Sequence, residues 1–374
     1  MNSMIIIGSG ILGASTAYHL AKWGVDVTII DRNEPGQATE AAAGIVCPWL
    51  SQRRNKVWYQ LAKGGAKYYP SLIEQLMEDG ETETGYKKVG AISLHTDEMK
   101  LDKMIDRAKK RREDAPEIGE IKKLSAEETR ELFPHLAEEY QAVFVSGAAR
   151  VNGAALRHAL LRAAQMHGAK VKFGDAKLHS SDGEVTGVSV EDERLEAGKV
   201  IMTAGAWAEE LLSPFGLKFN VTSQKAQIVH LEMPGEDTSN WPVVMPPNDQ
   251  YLLSFDDGRV VIGATHENEA GMDRRVTAGG LQEIFSKALE VAPGLTNGTF
   301  LEAKVGFRPF TPGFLPVFGD IPEMKNLLAA NGLGASGLTV GPYLGLELAR
   351  LALGKETELN PNDYDIRAAI KKRY

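Results

Sequence analysis

Met4-Ile5-Ile6-Ile7-Gly8-Ser9-Gly10-Ile11-Leu12-Gly13, running on to Ile29-Ile30-Asp31-Arg32, is the stretch whose reading decides the fold. Ile5 to Ile7 form an apolar run without alternation, the pattern of a strand covered on both faces in a parallel sheet. Gly8 permits a tight turn, Gly10 lets a ligand approach backbone where no Cβ intervenes, and Gly13 lets the next helix lie close to the strand. That helix begins with free N–H groups and a partial positive charge, which favour a pyrophosphate. Ala14, Ala17, Tyr18 and Ala21 recur at helical spacing, Gly24 ends the helix, and Val25 to Ile30 read as a second strand. Asp31 closes it at the distance where a carboxylate accepts the hydroxyls of an adenosine ribose. Strand, glycine turn, helix, strand and acid in order predict a dinucleotide site. NAD and FAD share the same ADP half, so both stay open here. Arg32 is read either as a partner for a 2′-phosphate or as a solvated side chain.

The chain has 374 residues, more than one ordinary core, so about two domains are expected. Its 42 basic and 50 acidic residues give a formal net charge of −8, and no basic field invites nucleic acid or anionic lipid. The one cysteine, Cys47, excludes an intramolecular disulfide and a multi-cysteine metal site. No basic leader precedes the first strand, and Leu327 to Leu353, the most apolar tract, is interrupted by glycines and Pro342. A cytoplasmic protein with no integral membrane segment and no bound metal is expected, with a homo-oligomer left open.

After Asp31, Thr39-Glu40-Ala41-Ala42-Ala43-Gly44-Ile45 is a run of small residues that suits a helix start against a flat or charged ligand, or a tightly packed helix. In the loop from Cys47 to Arg54, Arg53 and Arg54 are candidates to draw anionic substrates, although solvated arginines are commoner. Residues 57 to 79 read as a helix, 85 to 95 as a short strand pair about Gly90, and Asp97 to Glu113 as a charge-laced helix whose Lys109-Lys110-Arg111-Arg112 run is a solvated face. Ser125 to Glu128 is a capping box, and the region reads as a peripheral insertion. Val143 to Val151, the helix capped by Asn152, and Val171 to Phe173 read as a further strand-helix unit of the first sheet. Val188 to Val200 suggests hairpin strands, and the strand ending at Val200 to Met202 turns at Gly205, where backbone can pass a nucleotide or simply make a tight turn. Alternating β sequence then dominates from Leu217 to about Phe318, interrupted by a helix near Leu281 to Val291. Asn326 to Ala330 returns as a strand, and Gly332 to Leu338 forms a second glycine-rich turn into a helix.

Four separated motifs agree in order: Ile5 to Arg32, Thr39 to Ile45, Val200 to Trp207, and Val305 to Pro309 with Gly332 to Gly341. On these the chain resembles the D-amino-acid oxidase type of FAD-dependent amine oxidoreductases, the family of glycine oxidase, sarcosine oxidase and D-amino-acid dehydrogenase. The resemblance implies an α/β protein (α+β overall). Its FAD/NAD(P)-binding, Rossmann-like parallel-sheet domain is discontinuous, built from residues 1–89, 143–215 and 319–374. A mostly antiparallel β substrate domain takes residues 90–142 and 216–318. The implied cofactor is non-covalent FAD, because Cys47 is not in the C-terminal place where sarcosine oxidases attach flavin. The implied partners are a small amine or amino acid and either O₂ or another electron acceptor.

Residue by residue, the resemblance implies that Gly8, Gly10, Ile11, Leu12 and Gly13 hold the pyrophosphate and that Asp31 and Arg32 sit at the adenosine ribose. Ala38, Thr39, Ala43, Gly44 and Ile45 follow the cofactor toward its flavin, Lys177 lies on the adenine side, and Leu333, Gly334, Ala335, Ser336, Gly337, Leu338 and Thr339 line the isoalloxazine. Arg308 matches the arginine that binds the substrate carboxylate and Tyr251 a tyrosine of the pocket. The chemistry of Arg308 agrees, since a planar guanidinium grips a carboxylate through two parallel hydrogen bonds; an interdomain salt bridge is its other reading. The implied reaction is hydride transfer from Cα to flavin N5 with hydrolysis of the imine, and it needs positioning rather than a general base. His266 is the protonatable candidate near the roof, with a structural role as the alternative. Glu40 departs from the family's serine, and Leu333 and Ala335 stand where glycine oxidase has histidine and arginine. That loss of charge keeps open a dehydrogenase that passes electrons to a quinone or another acceptor. The other readings are an NAD(P)-linked dehydrogenase, a non-catalytic flavoprotein subunit and, against the acidic balance, a tRNA-modifying flavoprotein.

Overall fold

The computed structural model describes residues 3–372, so the outermost ends of the expected 1–89 and 319–374 segments lie outside the described residues. A six-stranded sheet carries the N-terminal motif, in the order Val317–Asp320, Leu327–Asn331, Lys199–Met202, Ser3–Ile7, Asp26–Asp31, Lys170–Phe173. Its neighbours run parallel except for the edge strand Val317–Asp320, so it is covered on both faces, as the unbroken Ile5 to Ile7 run requires. The helices Ile11–Lys22, Gly153–Met166 and Gly337–Ala352 pack together on one face, with Ser15 Oγ donating to the Pro342 carbonyl at 2.7 Å. The other face is covered by the three-stranded sheet Ala176–Ser181, Glu184–Val190, Glu193–Glu196, whose last two strands form the expected hairpin.

The second sheet has eight strands, ordered Thr299–Phe310, Thr222–Glu232, Arg259–Gly263, Tyr251–Ser254, Val243–Met245, Ala91–His95, Gln141–Val145, Ile121–Leu124. It is antiparallel save for the pairing of Val243–Met245 with Ala91–His95. The region read as a peripheral insertion therefore supplies two strands of the roof, Ala91–His95 and Ile121–Leu124. Gln141–Val145 belongs to it as well, not to the first sheet, so position 143 falls inside a roof strand and 319 falls inside Val317–Asp320. The expected strand pair about Gly90 does not form. Lys87–Lys88 pairs with Ala149–Arg150 and Ala91–His95 with Gln141–Val145, because Gly90, at φ +76°, turns the chain from one sheet to another. The capping box is present in both directions, Ser125 Oγ accepting from Glu128 N and Glu128 accepting from Ser125 N.

Arg111 corrects the reading of its basic run as wholly solvated. Its guanidinium lies 4.4 Å from the Tyr59 ring centre and donates to the carbonyls of Trp49 and Ser51, fixing the loop that walls the cavity described below.

Two buried histidines set the acid limit of the fold. Burial, then Lys22 and Arg350, holds His19 down to about 3, and burial, then Lys304 and Arg259, holds His230 down to about 4. The unfolded chain protonates both near 6.5, so between that pH and about 4 it binds more protons than the folded chain. Stability is then complete above about pH 7 and falls on acidification, each histidine contributing about 1.4 kcal/mol per pH unit. Calorimetric melting between pH 7.5 and 4.5 is expected to show a steady decline in Tm, whose slope His19→Gln roughly halves while His230 keeps the rest. A flat wild-type profile would contradict the burial of neutral imidazoles.

Candidate active site

Between the ends of the parallel strands and the face of the eight-stranded roof lies a cavity of about 830 Å³, lined by both glycine-rich turns and by residues of the roof. Gly8 makes its turn at φ +99°, and a Cβ there would stand 2.6 Å from the Thr203 carbonyl oxygen. Gly10 caps the first helix without a side-chain bond and has only Thr39 Oγ1, at 3.6 Å, near its Cβ direction, so this backbone is open to the cavity. Ile11 N donates to Thr39 Oγ1 at 3.0 Å, which ties the small-residue segment to the helix start. That segment is a run of turns rather than the expected helix, since Gly44 sits at φ +100° with its Cβ direction 1.8 Å from the Val151 carbonyl.

Every residue expected at the cofactor lines this cavity, with one exception. Gly13 is behind the wall, where a Cβ would fall 1.9 Å from the Gly8 carbonyl oxygen. It sets helix-to-strand packing and offers no ligand surface. Gly205, Lys177, Ala38 and the whole of Leu333 to Thr339 face the cavity as expected. The helix Gly337–Ala352 starts there, and Thr339 Oγ1 donates to the Ile45 carbonyl at 2.8 Å, closing the C-terminal turn onto the N-terminal segment.

Asp31 lines the cavity but already accepts four protein donors. Its Oδ2 takes Ser9 N at 2.6 Å and Ser9 Oγ at 2.9 Å, and its Oδ1 takes Asn33 N at 2.6 Å and Gln37 Nε2 at 3.0 Å. It holds the glycine turn in shape, while Gln37 Oε1, buried on the cavity wall without a partner, is the acceptor left for a ligand hydroxyl. Arg32 is neither solvated nor free for a 2′-phosphate. Glu210 at 2.8 Å, Asp175 at 3.3 Å and Glu34 at 3.5 Å surround it, and their hydrogen bonds and charges hold its proton more tightly than usual despite burial. Glu40 is explained by Arg157, a buried residue the sequence did not single out. It donates to Glu40 Oε1 at 2.7 Å, to the Ser9 carbonyl at 2.7 Å and to Ser9 Oγ at 2.8 Å. The extra carboxylate is thus consumed behind the glycine turn.

At the other end, Tyr251, Asp249, His266 and Arg308 share the wall. Arg308 sits opposite Gln224 in the strand ladder and donates to its Oε1 at 3.0 Å. Burial pushes the Tyr251 hydroxyl up, and the Arg308 charge and hydrogen bond oppose it. Asp249, also missed in the sequence, accepts Lys287 Nζ at 2.9 and 3.1 Å; burial raises its carboxyl, but Lys287 and Gln250 outweigh that and hold it below the usual range. Neither Arg53 nor Arg54 lines the cavity. Arg53 lies 4.7 Å from the ring centre of Trp58 and donates to the Phe314 carbonyl, bridging two loops. Trp58 itself lines the wall and donates from Nε1 to Ser336 Oγ at 3.2 Å. Cys47 is buried there, its thiol pushed up to about 12 by burial, and is inert as a nucleophile.

Two helix N-termini, a glycine turn open at Gly10 and an unpartnered buried acceptor at Gln37, on a cavity that reaches the roof at Arg308, fit an FAD laid from the N-terminal turn to the roof. Fold and site define a flavin-dependent oxidoreductase. The chain matches the family model described as FAD dependent oxidoreductase (DAO) over residues 3–351, and it belongs to that family. It is 65% identical to the uncharacterized oxidoreductase YurR of Bacillus subtilis over 99% of this chain and 100% of that one. Iminodiacetate oxidase from Chelativorans sp. BNC1 superposes with a TM-score of 0.94 at 46% identity, covering 97% of this chain and 98% of the other. Glycine oxidase from Geobacillus kaustophilus gives a TM-score of 0.85 at 27% identity over 98% and 99%. No helix among the described residues is long and apolar enough to cross a membrane.

Proposed function

We propose that this FAD-dependent enzyme oxidises the C–N bond of a small amino acid, glycine-like or N-substituted, whose carboxylate is bound by Arg308. The observation that carries the reading is Arg308 on the cavity wall with no carboxylate among the described residues paired with it: its partners are Gln224 and Tyr251. A guanidinium left with neutral partners in a half-buried site is matched by an anionic ligand. The likeness to iminodiacetate oxidase and glycine oxidase supports a substrate that pairs a carboxylate with an adjacent amine. FAD would be held without a covalent bond by the cavity-lining residues of Gly8 to Leu12, Ala38 to Ile45 and Leu333 to Thr339, and would supply acceptance of a hydride from the substrate Cα. The protein's part is placement. Arg308 and Tyr251 fix the carboxylate, the roof and the Trp58 wall exclude water, and the orientation that results directs Cα–H at the ring. Water entering afterwards hydrolyses the imine.

The experiment is anaerobic reduction of the flavin by glycine, sarcosine, iminodiacetate, D-amino acids, L-proline and carboxylate-free amines. Bleaching is expected with carboxylate-bearing amines and not with simple ones; bleaching by simple amines alone would contradict the role given to Arg308. Admission of air separates an oxidase from a dehydrogenase. The dehydrogenase reading is favoured by one observation, that the Leu333 to Ser336 turn on the cavity wall carries no charged side chain, so stabilisation of a reduced flavin held there would rest on backbone N–H groups and the dipole of the helix Gly337–Ala352.

A further inference from the structure

We infer that His266 accepts the proton that the substrate's ammonium group must lose before its Cα–H can leave as hydride, with Asp249 as the residue that positions it. The inference rests on the amino-acid reading of the site and adds to it a group with a defined chemical step.

The strand ladder explains why His266 is there. Gln224 stands opposite Arg308, and the next residue, Lys225, bridges to Glu267, so the loop carrying His266 runs beside the Arg308 row and faces the same cavity. His266 Nδ1 lies 3.6 Å from Asp249 Oδ2, longer than a hydrogen bond and within ion-pair reach. Asp249 in turn is pinned by Lys287. A carboxylate on the Nδ1 side favours the tautomer with hydrogen on Nδ1 and leaves Nε2 as an acceptor. The groups facing the ring are Arg308 from the longest roof strand, Asp249 before the Tyr251 strand, and Lys287 and Glu283 from the helix Ala278–Val291. Burial first, then Arg308, lowers the imidazole's affinity for a proton, so it is neutral at pH 7.

An amino acid held by Arg308 arrives as a zwitterion. Its N–H⁺ bond breaks, the proton passes to His266 Nε2, and the electron pair stays on nitrogen. That pair supports the cation that develops as Cα–H departs with its electrons. The transfer to imidazole is uphill, but the side chain is 39% exposed and hands the proton on to water. Asp249 offsets the charge while His266 carries it.

The test is stopped-flow anaerobic reduction of the FAD-loaded enzyme by its best amino-acid substrate from pH 6.5 to 10.5, for wild type, His266→Gln and Asp249→Asn. General bases contribute about 10²- to 10⁴-fold, so His266→Gln is expected to slow the limiting reduction rate about 10²-fold at pH 7, with little change in substrate Kd. The deficit should close toward pH 10, where the free amine has already lost its proton to the solvent. Asp249→Asn is expected to show a smaller loss that converges in the same way, and it keeps the test decisive if the first variant fails to retain flavin. A deficit constant across pH, or an unchanged rate at pH 7, overturns the inference while leaving the amino-acid reading in place. If no amine reduces the flavin, both fall.

Discussion

Replacing Arg308 by alanine is expected to lower kcat/KM for a carboxylate-bearing amine by about 10²- to 10⁴-fold, almost all of it through KM, with flavin content and Tm close to wild type. A hydrogen bond to a charged group contributes about 1.5–3 kcal/mol, and a carboxylate on a guanidinium engages two. The carboxylate carries the same charge before and after the C–N bond is oxidised, so its binding is uniform along the reaction and its loss appears in KM. The fold should tolerate the change. Arg308 is only partly buried, and Gln224, whose Oε1 is the acceptor left behind, is itself only partly buried, so water replaces the lost donor. Steady-state kinetics with a carboxylate substrate and with the matching amine that lacks the carboxylate check the assignment, since the variant should lose the preference between them. An unchanged KM would falsify the role given to this residue.

How much of this was legible in the sequence depends on whether a residue's role is local. The glycine turn could be read because strand, turn and helix are consecutive and each glycine answers to its neighbours in the chain. The Asn331 to Leu338 turn was readable for the same reason. What could not be read is settled by partners far away in sequence. Arg157 reaches Glu40 and Ser9 from the middle of a helix whose pattern shows only an apolar stripe, and nothing local marks it as the answer to Glu40's extra charge. Asp249 sits in the Pro246-Pro247-Asn248-Asp249 turn, where turn chemistry alone accounts for an aspartate, and only the helix bearing Lys287 reveals it as a fixed charge on the cavity wall. Gln141–Val145 has the composition of a strand for either sheet, and its place in the roof is decided by pairing with Ala91–His95 and Ile121–Leu124. Arg32 and Arg53 were legible as cations but not by what surrounds them: three carboxylates in one case, a Trp58 face and a carbonyl in the other.

The two glycines flanking Ile11 and Leu12 should separate fold from cofactor. Gly13→Ala places a methyl 1.9 Å from the Gly8 carbonyl oxygen and 2.5 Å from Thr203 Oγ1, both held by strands of the central sheet. Thr203 cannot yield easily, because its Oγ1 donates to the Gly8 carbonyl at 2.8 Å and its N to the Ile7 carbonyl at 2.8 Å. The helix Ile11–Lys22 must move away from the sheet, and overpacking of that kind costs about 3 kcal/mol or more, a large share of a domain's net stability of about 5–15 kcal/mol. Gly13→Ala is therefore expected to yield little soluble protein and, in what remains, a lower Tm with or without FAD. Gly10→Ala differs. Its φ of −61° and ψ of 179° suit alanine, and the new methyl meets nothing closer than Thr39 Oγ1 at 3.6 Å, so the chain folds. The methyl projects instead into open space on the cavity wall, where the proposed reading puts the pyrophosphate. The apoprotein of Gly10→Ala should melt within about 2 °C of wild-type apoprotein, a shift of under about 1 kcal/mol, while its FAD content falls by tenfold or more. Flavin-to-protein absorbance ratios and calorimetry of both apoproteins read the two effects separately. Full flavin content in Gly10→Ala would move the pyrophosphate away from this turn, and a wild-type melt for Gly13→Ala would show that the helix can slide where the packing says it cannot.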